Sequence, residues 1–330
     1  MKKSLIIIIS IIFVGLFFIL IPLAKRGENL LPNPGKKEGS LREEGGSEEQ
    51  KIKILGSILE SNETDSILPS RNLKEPSPIL GEDAGIAVLF TRDFNGNILY
   101  QKNIDKKLPI ASLTKLMTAM IVIDKYPLEK EIIVSQEDIW TEGESGRLSP
   151  GEKISIRNLL YLSLLVSSND AAAALARVIG EKKFVELMNE KVKEIGLLNT
   201  NFTNPHGLDD KENFSTAKDL AILTQYSLLN YPSLWEILKI KEIDLFSQDY
   251  LKRQIVHHVR NTNTLLSQVG VLGGKTGYTE EAKDTMILAA TAPGKIKGNI
   301  ILVVLGVEVG ERITKTKILY DWVCQAWRWE

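Results

Sequence analysis

Three short segments of this chain carry residues that could do covalent chemistry. The first is Ser112-Leu113-Thr114-Lys115, a hydroxyl and an amine three positions apart. On a helix such positions share a face, so the amine can reach the hydroxyl. A lysine shielded from water and placed near other cations gives up its proton more readily and can serve as a base. A serine at a helix start also sits where unpaired N–H groups and the helix dipole favour developing negative charge. Taken alone, Ser112 could equally be a helix N-cap. The second segment is Ser167-Ser168-Asn169, between the apolar run 159–166 and the Ala-rich stretch 170–176. Capping by Ser168 or Asn169 would account for it in isolation. In a catalytic reading, Ser167 relays protons between Lys115 and a leaving amine, while Asn169 holds a substrate carbonyl.

The third segment is Gly273-Gly274-Lys275-Thr276-Gly277-Tyr278-Thr279, in a β-rich stretch. Glycines such as Gly277 mark close backbone approach, so an extended peptide could lie along this strand. Lys275 offers a charge and Thr276 a hydroxyl, a pair suited to a terminal carboxylate. A phosphate loop is excluded, because that motif needs a helix after its Lys-Ser/Thr.

Ser-x-x-Lys, Ser-x-Asn and Lys-Thr-Gly in this order mark the penicillin-recognising serine enzymes. The chain resembles the serine-type D-Ala-D-Ala carboxypeptidases, the low-molecular-mass penicillin-binding proteins, from about residue 84 to residue 323. Supporting segments are 108–119 around Ser112, Leu148-Ser149-Pro150-Gly151-Glu152, Ser168-Asn169-Asp170-Ala171-Ala172, Asn204-Pro205-His206-Gly207-Leu208 and Ser215-Thr216-Ala217-Lys218-Asp219-Leu220. The resemblance implies that Ser112 is acylated, that Lys115 is its base, and that Ser167 and Asn169 complete the proton and substrate network. It implies that Lys275 and Thr276, with Gly277 beside them, hold the terminal D-Ala carboxylate. The backbone N–H groups of Ser112 and Tyr278 would form the oxyanion hole. Neither a cofactor nor a metal is implied. The implied substrates are peptidoglycan stem peptides ending in D-Ala-D-Ala, with β-lactam antibiotics as covalent inhibitors and cell-wall remodelling as the process. A D,D-endopeptidase using the same site is the alternative.

Three departures from the family pattern stand out. Ser168 occupies a position more often Gly, which should change little. Ala282-Lys283-Asp284 follows where an Ala-Gly pair is usual, so the turn beside the site should differ. The chain also ends soon after its closing helix, leaving no room for the β-rich C-terminal domain of many relatives.

Other chemistries fit less well. A β-lactamase needs a carboxylate loop of the Glu-x-x-Leu-Asn type after the second motif, and Glu186-Leu187-Met188-Asn189 lies instead in a helical pattern. A Ser-His-Asp hydrolase would draw on His206, His257 or His258, but no Gly-x-Ser-x-Gly frames a serine. His206 reads as a loop residue lining or supporting the site. Adjacent His257 and His258 point to opposite sides of a strand, which argues against zinc, as does the missing His-Glu-x-x-His. A wall-binding protein with a dead site would not need every catalytic position intact. With 41 Lys+Arg against 42 Asp+Glu, the chain lacks the positive excess that nucleic acid requires.

These residues need a scaffold. Apolar β-rich runs at 86–90 and 98–100, joined by Asp93-Phe94-Asn95-Gly96-Asn97, predict an opening hairpin. Three-to-four apolar spacing predicts helices at 112–125, 156–165, 170–179, 182–195 and 216–229. Strands return at 271–279, 285–292 and 299–307, with a turn at Pro293-Gly294, and a helix at 314–327 closes the chain. Strands at both ends with helices between them predict an α+β fold, one antiparallel sheet flanked by helices. The resemblance implies the penicillin-binding/β-lactamase-like transpeptidase fold over residues 84–330.

Residues 4–24 form an uncharged, mostly aliphatic run of about 20 residues, long enough at ~1.5 Å rise to cross a ~30 Å hydrocarbon layer. Lys25 and Arg26 follow directly, without the small-residue site of a cleaved leader, so residues 1–24 read as an uncleaved transmembrane signal anchor. Residues 25–83, rich in Gly, Pro, Ser, Glu and Lys, read as a flexible polar linker, with a short ordered piece expected at 52–59. Basic residues flank both ends of the run, so the expectation that the catalytic domain lies outside the bacterial cytoplasmic membrane rests mainly on the function that the resemblance implies. Cys324, the single cysteine, reads as a buried apolar residue.

Overall fold

A computed structural model describes residues 68–91, 96–143 and 146–330. The apolar run 4–24, the expected ordered piece 52–59 and most of the polar linker lie outside the described residues. No helix among the described residues is long and apolar enough to cross a membrane.

The strands in chain order are β1 (Ser70–Arg71), β2 (Ala84–Thr91), β3 (Gly96–Lys102), β4 (Glu131–Ile133), β5 (Lys153–Ser155), β6 (Glu242–Gln248), β7 (Gln254–Arg260), β8 (Val271–Thr279), β9 (Lys283–Thr291), β10 (Gly298–Val307) and β11 (Trp327–Arg328). The helices are α1 (Lys115–Lys125), α2 (Ile156–Leu165), α3 (Asn169–Arg177), α4 (Glu181–Ile195), α5 (Ala217–Asn230), α6 (Pro232–Leu238) and α7 (Arg312–Ala326).

The main sheet is antiparallel, in the order β3-β2-β10-β9-β8, and so joins the first and last segments as the strand pattern predicts. Its central strands β2 and β10 are apolar along most of their length, at 84–90 and 300–307, because both faces are covered. Ile86, Val88 and Phe90 of β2 and Ile301, Val303 and Leu305 of β10 face one core, shared with helices α1 to α6. Ala87 and Leu89, with Ile300, Leu302 and Val304, face a second core closed by Leu319, Tyr320 and Val323 of α7. Each Ile, Leu, Val or Phe side chain among them contributes roughly 1.5–3 kcal/mol by leaving water. β8 is left at the sheet edge, carrying the third motif.

A second sheet, in the order β4-β5-β6-β7, is absent from the pattern-based expectation of one sheet. Two of its strands have three residues each, too short for a periodicity to show. β6 and β7 do alternate, and His257-His258 reads as a strand pair, but nothing in the spacing assigns that pair to a separate sheet. His257 and His258 divide as expected. His257 is buried with Nε2 at 2.7 Å from Glu152 Oε1, and His258 faces out with Nδ1 at 2.6 Å from Asp244 Oδ1.

Four boundaries also differ from expectation. Composition makes the linker flexible to residue 83, yet residues 68–83 are ordered against the C-terminus. Ser70 and Arg71 pair with Arg328 and Trp327, Asn72 N donates to Ala326 O at 2.8 Å, and Leu80 is buried. Composition alone could not reveal this distant partner. The same pairing makes Trp327 a strand residue rather than the end of the last helix. Helix α6, with Pro232 in its first turn, lies in a stretch whose spacing predicts no helix. Finally, Ser112 lies in a single 3-10 turn, Ala111–Thr114, and the α-helix proper starts at Lys115. Cys324 is half-buried beside the second core, more open than expected.

Candidate active site

The Ala111–Thr114 turn holds Ser112 by unusual backbone. Ala111 has φ 47° and, across the cleft, Ser167 has φ 64°, conformations that cost about 1–3 kcal/mol for a residue with a Cβ. Ser167 opens the second motif, and Ala111 immediately precedes the first. Ser112 caps no helix; its hydroxyl accepts instead from Lys115 Nζ at 2.7 Å. Lys115 is 0% exposed and also donates to Asn169 Oδ1 at 2.6 Å and to His206 O at 2.7 Å. The capping role falls to Ser168, which accepts from Ala171 N at 3.0 Å. That hydroxyl is the local use of the residue standing where Gly is usual. It leaves Asn169 to face the cleft, with its Nδ2 donating to Glu142 O at 2.5 Å.

The third motif closes the other side. Lys275, also 0% exposed, donates to Ser167 Oγ at 2.8 Å and to Thr276 O at 2.9 Å. The Thr276 hydroxyl lies 2.6 Å from that of Thr262. At Gly277 an added Cβ would fall 2.6 Å from Thr285 Oγ1 and 3.0 Å from Ser112 N, so the missing side chain lets β8 lie directly against the serine turn.

The result is a cleft of about 690 Å³ into which Ser112, Ser167, Asn169, Thr276, Gly277 and Tyr278 all face. The residues of the three motifs that the sequence assigns to catalysis and binding are gathered here, but the two lysines stand behind the lining. Lys115 reaches the cleft through Ser112 and Asn169, and Lys275 through Ser167. Sequence reasoning had no signal for Thr262, Arg312, Glu142 or Asp209, which also line the cleft. Each sits outside any motif and arrives through tertiary folding alone. Among the described residues no group of His, Cys, Asp or Glu could hold a metal ion.

The Asn204-Pro205-His206-Gly207-Leu208 loop completes the floor. Asn204 closes it, accepting from Gly207 N at 2.7 Å and donating to Leu208 O at 3.0 Å, while Thr118 of α1 donates to Pro205 O at 2.6 Å. Gly207 has φ 88°, and a Cβ there would fall 2.0 Å from Ala111 O. A Gly207→Ala variant should therefore lose about 2–4 kcal/mol and disturb the turn that carries Ser112. A lowered denaturant midpoint together with slowed active-site acylation would show it; wild-type values for both would contradict the contact.

His206 faces the same cleft. Burial, and then the positive charge of Lys115, push its imidazole down to about 3 from an ordinary 6.5. Its Nδ1 accepts from Leu208 N at 3.3 Å, which agrees with a neutral ring. A depressed folded-state pKa contributes stability that is fully present above 6.5 and is lost as pH falls toward 3. Within that window His206 should steepen acid destabilisation by up to about 1.4 kcal/mol per pH unit. Urea midpoints from pH 7 to pH 4 should fall less steeply in His206→Gln; an unchanged slope would contradict the buried neutral ring.

Comparisons with known proteins agree on one family. The family model described as D-alanyl-D-alanine carboxypeptidase matches residues 74–309. The D-alanyl-D-alanine carboxypeptidase DacF of Bacillus subtilis is 37% identical over 242 residues, which cover 69% of this chain and 58% of the relative. A D-alanyl-D-alanine endopeptidase of Pseudomonas aeruginosa is 37% identical over 223 residues, covering 65% of this chain and 69% of that one. The match thus spans less than two thirds of the Bacillus relative's length. Among solved structures, the Streptomyces DD-transpeptidase superposes with a TM-score of 0.68 at 27% identity, over 75% of this chain and 98% of that one.

Proposed function

Because the chain belongs to the D-alanyl-D-alanine carboxypeptidase family, we propose that it is a serine D-Ala-D-Ala carboxypeptidase that trims peptidoglycan stem peptides through an acyl-enzyme on Ser112. The observation that carries this reading is the 2.7 Å contact between Lys115 Nζ and Ser112 Oγ inside a cleft that Ser167 and Asn169 share.

In the reaction, Lys115 first gives up a proton, so that a lone pair replaces the N–H that meets Ser112 Oγ at rest, and then takes the Ser112 proton as Oγ attacks the carbonyl carbon of the penultimate D-Ala. Charge developing on the substrate's carbonyl oxygen is met by the backbone N–H groups of Ser112 and Tyr278, where one donor can contribute about 3–4 kcal/mol. Asn169 orients the acyl segment. Ser167 relays to the leaving D-Ala amine the proton that Lys115 took from Ser112, giving up its own and regaining that one, and Lys275 Nζ, 2.8 Å from its Oγ, orients the hydroxyl. The leaving carboxylate is met by the hydroxyls of Thr276 and Thr262 and by the Arg312 guanidinium, charge-assisted bonds of about 1.5–3 kcal/mol each. Lys275 contributes positive potential from behind this wall. Water then releases the trimmed peptide from Ser112. The same cleft would accept penicillin as a covalent inhibitor.

An endopeptidase reading is favoured by one observation, the equal 37% identity of the Pseudomonas relative that bears that name. Measuring D-Ala release from a pentapeptide ending in D-Ala-D-Ala, beside cleavage of purified crosslinked dimers, separates the two. D-Ala release supports the carboxypeptidase; cleavage of dimers without it rejects the carboxypeptidase in favour of the endopeptidase.

For location, the apolar run 4–24 followed by a polar linker supports a single-pass anchor with the catalytic domain on the extracytoplasmic side of the bacterial membrane. Protease added to intact spheroplasts should remove the domain. Full protection would overturn this topology.

A further inference from the structure

Arg312 is the permanently charged cation among the described residues that line the cleft, and a guanidinium on so long a stem needs something to fix it. The structure supplies a buried carboxylate. Asp284, 1% exposed, stands on β9 opposite Tyr278 of β8, at the turn where the chain departs from the Ala-Gly pattern. Its Oδ1 accepts from Arg312 Nη1 at 2.7 Å, and its Oδ2 accepts from Gly310 N at 2.8 Å and Arg312 N at 3.2 Å. Arg312 Nη1 also points to Gly277 O at 3.4 Å. One carboxylate on the strand beside β8 therefore ties together the loop before α7, the first residue of α7 and the side chain that this residue sends to the cleft. The two backbone N–H groups would suffice for a carboxylate that only held the helix start. The third bond couples Asp284 to the substrate side of the fold.

We propose that Asp284 is a positioning residue that fixes the Arg312 guanidinium at the leaving-group end of the cleft, and so sets the preference for peptides ending in a free carboxylate. The proposal rests on the carboxypeptidase reading and deepens it. Pinning one Nη to a rigid strand presents the rest of the fork without a search of rotamers, which is preorganisation of a carboxylate subsite. A neutral partner would hold the guanidinium more loosely, and the loss would fall on substrate recognition rather than on the serine chemistry.

The test uses the full chain with two pentapeptides, one ending in D-Ala-D-Ala with its free carboxylate and one with that terminus converted to the carboxamide. Asp284→Asn should raise KM for the acid about tenfold, leave its kcat within a few-fold, and leave the carboxamide unchanged. Asp284→Ser, which keeps an acceptor for the Gly310 amide, should give the same split if the Asn variant does not fold. In an Arg312→Ala background, Asp284→Asn should shift neither substrate further, since the side chain it positions is gone. Equal losses on both peptides, or an undiminished effect in the Arg312→Ala background, would overturn the positioning role while leaving the activity intact. A wild-type chain that cleaves neither peptide would take down the activity reading, and the inference with it.

Discussion

Ser112→Ala should abolish covalent labelling by a fluorescent penicillin, with the domain still folded. The substitution removes the hydroxyl that Lys115 Nζ meets at 2.7 Å, on a turn whose backbone N lies against Gly277. The drop in acylation should be on the order of 10⁴-fold or more, the scale seen when a serine nucleophile is removed from its base. Stability should change far less. Lys115 loses one of three acceptors but keeps Asn169 Oδ1 and His206 O, so the cost is about 1–3 kcal/mol. Labelling that persists in the folded variant would put the nucleophile elsewhere.

Lys115→Ala should be nearly as damaging to acylation, by about 10²–10⁴-fold, because the base is lost while the serine remains. Here stability should suffer too. Ser112 Oγ, Asn169 Oδ1 and His206 O, all at or below the cleft floor, would lose their shared donor at once. Lys115→Arg should not rescue the rate, since a guanidinium stays charged at any working pH and cannot accept a proton. Labelling rates and denaturant midpoints for both variants check this; near-normal acylation in either would mean that another group activates Ser112.

Much of this site is legible in the order of residues alone. Ser112, Lys115, Ser167, Asn169, Thr276, Gly277 and Tyr278 lie in three motifs whose spacing is local and needs no distant contact to be read. Their supporting partners do not. Arg312 stands at a helix start with no neighbour in sequence that hints at a cleft, and Thr262 follows an unremarkable strand. Their roles come from where β8, β9 and α7 meet. The same physics explains the position of Lys275. Its residue type suggests direct contact with a carboxylate, whereas the pleat of β8 sends it behind the lining to Ser167. For the fold, long apolar strands such as β2 and β10 announce themselves because both faces are buried. The three-residue strands of the second sheet and the two-residue pairing of Ser70 and Arg71 with the C-terminus cannot, because their stability is supplied by partners far away in sequence.

The central claim is that Ser112 carries the acyl group cut from a D-Ala-D-Ala terminus. The direct measurement is intact mass and peptide mapping of the full chain quenched during turnover of a D-Ala-D-Ala pentapeptide, with released D-Ala quantified in the same samples. One acyl group of the shortened peptide on Ser112, appearing as free D-Ala appears, is the expected result; D-Ala release with the acyl group on any other residue, or with none at all, would contradict it.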